Sequence, residues 1–172
     1  MSLIITLMAM MTKHNTLIAA FAAAGLLTTA SAGEELDLRP EDEPAACGAS
    51  PLQVEAVVHG VTPVGILTVE IYEPSERHFL RSDSRLKRVR VAAEDGPQSV
   101  CFDIPGPGEY ALAAYHDINA NRKLDRRWNR MPAEPFALSN NQELRMRMPR
   151  FEEAAIEVDE NGAVVELVLE ER

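Results

Sequence analysis

Seven short stretches in which apolar and polar side chains alternate, each bounded by turn-forming residues, constrain this chain more than anything else in it. They span residues 53–59, 65–72, 87–92, 98–104, 109–116, 154–158 and 164–169. Val89 and Val91 alternate with Arg88 and Arg90, and Val100, Phe102 and Ile104 alternate with Cys101 and Asp103. Side chains two residues apart on a strand share a face, so one face should be core and the other wet. Pro105-Gly106-Pro107-Gly108 cannot continue a strand and must turn. Asp159-Glu160-Asn161-Gly162 ends on Asn-Gly, a tight hairpin signal, which predicts that the last two strands pair with each other. Short strands separated by turns in this way predict an all-β fold, a single antiparallel β-sandwich of seven or eight strands. Residues 118–150 break the pattern as one long polar loop, and loops of that length in compact domains are usually functional or disordered.

The amino-terminal 32 residues read as a signal peptide. Lys13 and His14 precede an apolar run over 17–27, and Ala30-Ser31-Ala32 has the small-x-small pattern of a cleavage site. The run is shorter than the roughly twenty residues that a bilayer span needs, and no later segment approaches that length. A periplasmic or secreted protein without a membrane span in its mature chain is therefore expected. Residues 33–50, rich in acids, prolines and alanines, predict a flexible acidic arm tethered only at Cys47, with the sandwich over 51–172. The whole chain carries a net charge of −10, and losing Lys13 with the signal makes it −11. Such a balance argues against a nucleic-acid partner, whose phosphates require a basic surface. The two cysteines, Cys47 and Cys101, predict a disulfide in an oxidising compartment, worth roughly 4 kcal/mol by loss of chain entropy in the unfolded state. Two free thiols or a two-cysteine metal site remain the alternatives.

Within the long polar region, short oxygen-bearing side chains fall at alternate positions. Asp117, Asn119, Asn121, Lys123 and Asp125 form a candidate calcium ligand set, since a loop with Asp or Asn at its first, third, fifth and ninth positions can wrap several oxygens onto one ion. Arg122 stands at the sixth position, normally Gly, and Trp128 at the twelfth, normally a bidentate Glu. With two carboxylates in the loop, and Glu134 as a third only if it folds back, affinity should lie near the weak extracellular end of about 10⁻⁴–10⁻³ M. The same side chains also serve to cap backbone N–H groups in successive turns, which needs no ion.

The run Tyr115-His116-Asp117 through Lys123-Leu124-Asp125, the Met131-Pro132-Ala133-Glu134 segment, Ser139-Asn140-Asn141 and Pro149-Arg150-Phe151-Glu152-Glu153-Ala154 together resemble the signature of a family of exported bacterial proteins catalogued as a domain of unknown function, twenty-one-forty-one. The resemblance covers roughly residues 52–169, implies an exported β-sandwich and brings no established activity. It also implies glycine where this chain has Ala120, Arg122, Arg130 and Ala137. The Gly-Pro turn followed by Glu109-Tyr110 resembles sandwiches of the prealbumin or carboxypeptidase-regulatory type.

Ser139, Asn140 and Asn141 either lock the long loop onto the sandwich or line a polar ligand site, and Asn's tolerance of left-handed backbone favours the lock. The arginines Arg126, Arg127, Arg130 and Arg150, with the alternating 144–148 segment, either face an anionic glycan or lipid head group or form a solvated strand edge. The leading expectation is a non-enzymatic exported binding or structural module of the bacterial envelope, acting on an unknown ligand or envelope component. The rival is an envelope hydrolase using His116 with Asp117 and Glu134, although no Gly-x-Ser-x-Gly turn surrounds any serine.

Overall fold

The computed structural model describes residues 35–75, 78–141 and 147–170, so the expected signal peptide and most of the 144–148 alternation lie outside the described residues. Eight strands follow in order: β1 (Gln53–His59), β2 (Ile66–Tyr72), β3 (Arg85–Ala92), β4 (Gln98–Asp103), β5 (Gly108–Asp117), β6 (Phe136–Leu138), β7 (Ala155–Val158) and β8 (Ala163–Val168). They build two sheets, β4-β1-β8 and β3-β2-β5-β6, with β7 also on β5. Strands β6 and β7 share one edge of β5, β6 pairing with Ala113 to Tyr115 and β7 with Gly108 to Ala111.

The period-two pattern explains the core. Val54, Ala56 and Val58 of β1 and Val100 and Phe102 of β4 meet Leu67, Val69 and Ile71 of β2 and Leu112 and Ala114 of β5 in one apolar cluster between the sheets. Cys47 and Cys101 are joined in a disulfide that ties the segment before β1 to β4.

Three expectations are corrected. The last two strands do not pair as a hairpin: β7 lies antiparallel to β5 in one sheet, while β8 runs parallel to β1 in the other, Val54 opposite Ala163. The Asn161-Gly162 turn forms, with a single bridge between Asp159 and Gly162, but it hands the chain from one sheet to the other. Gly162 is required there twice over, by its φ of +79° and because a Cβ would lie 2.2 Å from the carbonyl oxygen of Gln53. A turn signal specifies a reversal, not the neighbour to which the returning strand bonds.

The outer face of the five-stranded sheet is covered rather than wet. Tyr72, Phe79, Ala113, Tyr115, Phe136 and Phe151 belong to a second apolar cluster, and Phe79 makes edge-to-face contacts with Tyr72 and Phe151. The long loop adds β6 to the edge of this sheet, and the one-turn helix α1 (Phe151–Ala154) that follows the loop brings Phe151 into the cluster on this face. Arg90 is accordingly only 5% exposed.

Nor is the acidic arm held only at Cys47. A 3-10 turn at Pro40–Asp42 buries Asp42, whose carboxylate pairs with Arg88, Arg90 and Arg122. Farther along, Ala45 bridges Cys101. The alternating arginines of β3 give the arm a partner that its own composition does not reveal.

Candidate functional site

Strand β5 delivers His116 and Asp117 to the start of the long loop, and both are buried. The His116 ring lies 2.6 Å from the Val64 carbonyl through its Nε2. Asp117 accepts the Asn121 N–H at 3.1 Å and the Arg122 N–H at 2.6 Å, one on each oxygen. Asn119 and Asn121 accept the N–H groups two residues on, from Asn121 and Lys123, and both donate through their amides to Asp125 Oδ2. The five residues of the candidate calcium set thus form successive capped turns that converge on Asp125.

Glu134 folds back to this loop, its Oε2 accepting the Asp125 N–H at 3.1 Å. Its other oxygen is buried without a hydrogen-bond partner. Burial pushes the Glu134 carboxyl above its usual range, and the charges of Asp117 and Asp125 push the same way, against the hydrogen bond from the Asp125 N–H. Among the described residues, the three-residue group of possible metal ligands drawn within 4.8 Å is Cys47, Glu55 and Cys101, in which both sulfurs belong to the disulfide.

Ser139, Asn140 and Asn141 each bond to the backbone of a different part of the sandwich. Ser139 Oγ accepts the Leu112 N–H at 2.9 Å and donates to the Ala154 carbonyl. Asn140 donates to the Ala155 carbonyl at 2.8 Å. Asn141 donates to the Glu166 carbonyl at 3.0 Å and accepts the Val168 N–H at 2.8 Å, reaching β8 of the other sheet. Asn140 and Asn141 hold φ values of +67° and +45°, which Asn reaches more readily than most residues.

Between the returning loop and the outer face of the five-stranded sheet lies a cleft of about 910 Å3. Its lining includes Tyr72, Leu80, Tyr115, Leu124, Phe136 and Met148 on the apolar side. The cations come from separate elements: Arg85, Arg88 and Arg90 from β3, Arg122, Lys123, Arg126 and Arg130 from the loop, and Arg147 before α1. Glu70 is the carboxylate among the described lining residues, paired with Arg85 and accepting the Tyr72 hydroxyl, whose pKa is driven far up by burial and by the Glu70 charge. Neither His116 nor Ser139 lines the cleft. Sequence reasoning found the loop but missed the cleft. The available signal was Arg88 and Arg90 sharing a face of β3 opposite Glu70 and Thr68 of β2.

A protein family described as an uncharacterized protein conserved in bacteria (DUF2141) matches residues 57–166. The chain belongs to the DUF2141 family. No curated protein and no solved structure matches it. In this DUF2141 chain, three of the four positions where the resemblance implies glycine hold left-handed backbone: Ala120 at φ +53°, Arg122 at +65° and Arg130 at +67°. The fourth, Ala137, is an ordinary buried residue of β6. These three turns have the shape that glycine suits without having glycine, at a cost of roughly 1 kcal/mol or more for each non-glycine residue. Ala120→Gly, which removes no side-chain hydrogen bond, is therefore expected to raise stability by about 1 kcal/mol, read as a higher urea midpoint at unchanged slope.

Proposed function

We propose that this DUF2141 protein is a non-enzymatic exported binding module of the bacterial envelope whose ligand sits in the cleft beneath the long loop. One observation carries the reading. Two of the three groups the rival hydrolase would draw on are spent inside the fold, His116 on the Val64 carbonyl and Asp117 on two backbone N–H groups, and Ser139 is spent on the backbone at Leu112 and Ala154. The cleft itself presents mostly cations and apolar surface, which suits recognition of a ligand. Export is supported by the disulfide, which persists in oxidising compartments. Among the described residues no helix is long and apolar enough to cross a membrane. The same proposal takes the two packed sheets as a sandwich of the prealbumin or carboxypeptidase-regulatory type. To test the non-enzymatic reading, the mature protein is incubated with peptidoglycan and with chromogenic esters. No product above a His116→Ala control is expected, and turnover that this substitution abolishes would overturn the reading.

A second reading, calcium in the loop, is favoured by the partnerless buried oxygen of Glu134 beside Asp117 and Asp125. Asp117, Asn119, Asn121, the Lys123 carbonyl, Asp125 and Glu134 would hold the ion, which would order the loop rather than react. Glu134→Gln separates the cases. Because the Glu134 pKa is raised on folding, its ionised form costs stability as pH rises from the unfolded value through the folded one. Without an ion, the neutral amide should remove that cost and offer a donor to the neighbouring carboxylates, so the Tm at pH 7 in chelator should rise. That rise is expected in either case, and the readings part in calcium: only if the loop binds the ion does the parent gain Tm with calcium, a gain that Glu134→Gln should then diminish.

A further inference from the structure

Among the described residues, the cleft gathers cations that their neighbours neutralise only in part, in a protein whose net charge is −10. Eight lining cations meet one lining carboxylate among the described residues, Glu70. Asp42 and Asp37 take up charge at Arg88, Arg90 and Arg122, and Glu153 pairs with Arg147. Among the described residues Lys123, Arg126 and Arg130 have no ion pair. A further observation comes from Arg90, almost wholly buried, whose Nε has no hydrogen-bond partner while the rest of its guanidinium bonds Asp42 and the Arg122 carbonyl. Gathering like charges over a low-dielectric floor is unfavourable unless an anion completes it. Guanidinium forks suit the paired oxygens of phosphate or carboxylate.

The rest of the lining is not what a free inorganic anion requires. Tyr115, Phe136 and Leu124 continue from the cations into an apolar surface, and a volume of about 910 Å3 lies within the range of organic ligand pockets, roughly 300–1,000 Å3. We infer that the cleft binds an amphiphile with an oxyanion head group, phosphate or carboxylate, the head against Lys123, Arg126 and Arg130 and the apolar body against Tyr115, Phe136 and Leu124. This rests on reading the cleft as a binding site, but its ligand class can fail separately.

The test is calorimetric titration of the mature protein with decyl phosphate, decanoate, decyl glucoside and inorganic phosphate, each below any micelle-forming concentration. At least one decyl anion is expected to bind tenfold or more tighter than decyl glucoside and than inorganic phosphate, and its affinity should fall as salt is raised. Which of the two decyl anions binds tighter assigns the head group. Lys123 and Arg130 are exposed, so Lys123→Glu and Arg130→Glu should fold. Each is expected to weaken the decyl anion at least tenfold while leaving Tm within a few degrees. Leu124→Ala should weaken the decyl anion but not inorganic phosphate. Equal binding of decyl glucoside would overturn the oxyanion head and leave the binding module standing, and equal binding of inorganic phosphate would overturn the apolar body. Binding by none of the four overturns the inference and removes the cleft from the proposed function.

Discussion

Replacing Asp42 with alanine is expected to destabilise the fold by about 3–5 kcal/mol, the range for leaving buried charge without its partner. Asp42 accepts Arg88 Nε at 3.2 Å, Arg90 at 3.0 Å and Arg122 at 2.6 Å. Alanine would leave the buried Arg90 guanidinium with no carboxylate, whereas Arg122 keeps its pairing with Asp37. Burial works to raise the Asp42 pKa, but hydrogen bonds from Arg90 and Arg88 and their charges outweigh it, so the carboxyl ends below its usual value. A depressed folded pKa contributes stability that is fully present above the unfolded value of about 3.9 and is lost as pH falls through the folded one. The gap between parent and Asp42→Ala in urea unfolding should thus be widest near neutrality and narrow in acid. A gap close to zero at pH 7 would mean that the arm is as loose as its composition suggests.

Phe102→Ala should cost a similar amount, about 3–5 kcal/mol, because a large buried ring leaves a cavity that two sheets cannot close without shifting. Phe102 is fully buried on β4 opposite Val54 of β1, in the cluster shared by both sheets. Chemical unfolding measures it directly. A loss below about 1 kcal/mol, the scale of a surface change, would show that β4 presents its other face to the core.

Most strand positions were legible because the period-two rule acts locally. The 53–59 stretch became β1 over the same residues, and the other six were recovered to within two residues at either end. Strand β6 was not legible: Phe136, Ala137 and Leu138 are all buried, and three residues are too few to show a period. The same limit applied to partners. Arg88 and Arg90 looked solvated because the Asp42 that pairs with them lies far back in the chain. In the loop, the spacing of Asp117, Asn119, Asn121 and Asp125 announced oxygens turned inward, yet capped turns and a cation loop use the same residues at the same intervals. The cleft depended on β3, the loop and the segment before α1 meeting in space, and no stretch of sequence contains that meeting.

The parallel pairing of β1 with β8 also bears on how the chain reaches this structure. Val54 cannot pair with Ala163 until nearly the whole polypeptide has been made and the chain between them has been brought round. Contacts so distant in sequence are slow to form, since the chain must be confined before they stabilise anything. Until β8 arrives, one edge of β1 offers unpaired N–H and C=O groups to any neighbouring strand. A chain still emerging from the ribosome, or shortened just before Ala163, would carry that open edge, and its hazard is aggregation rather than simple loss of stability.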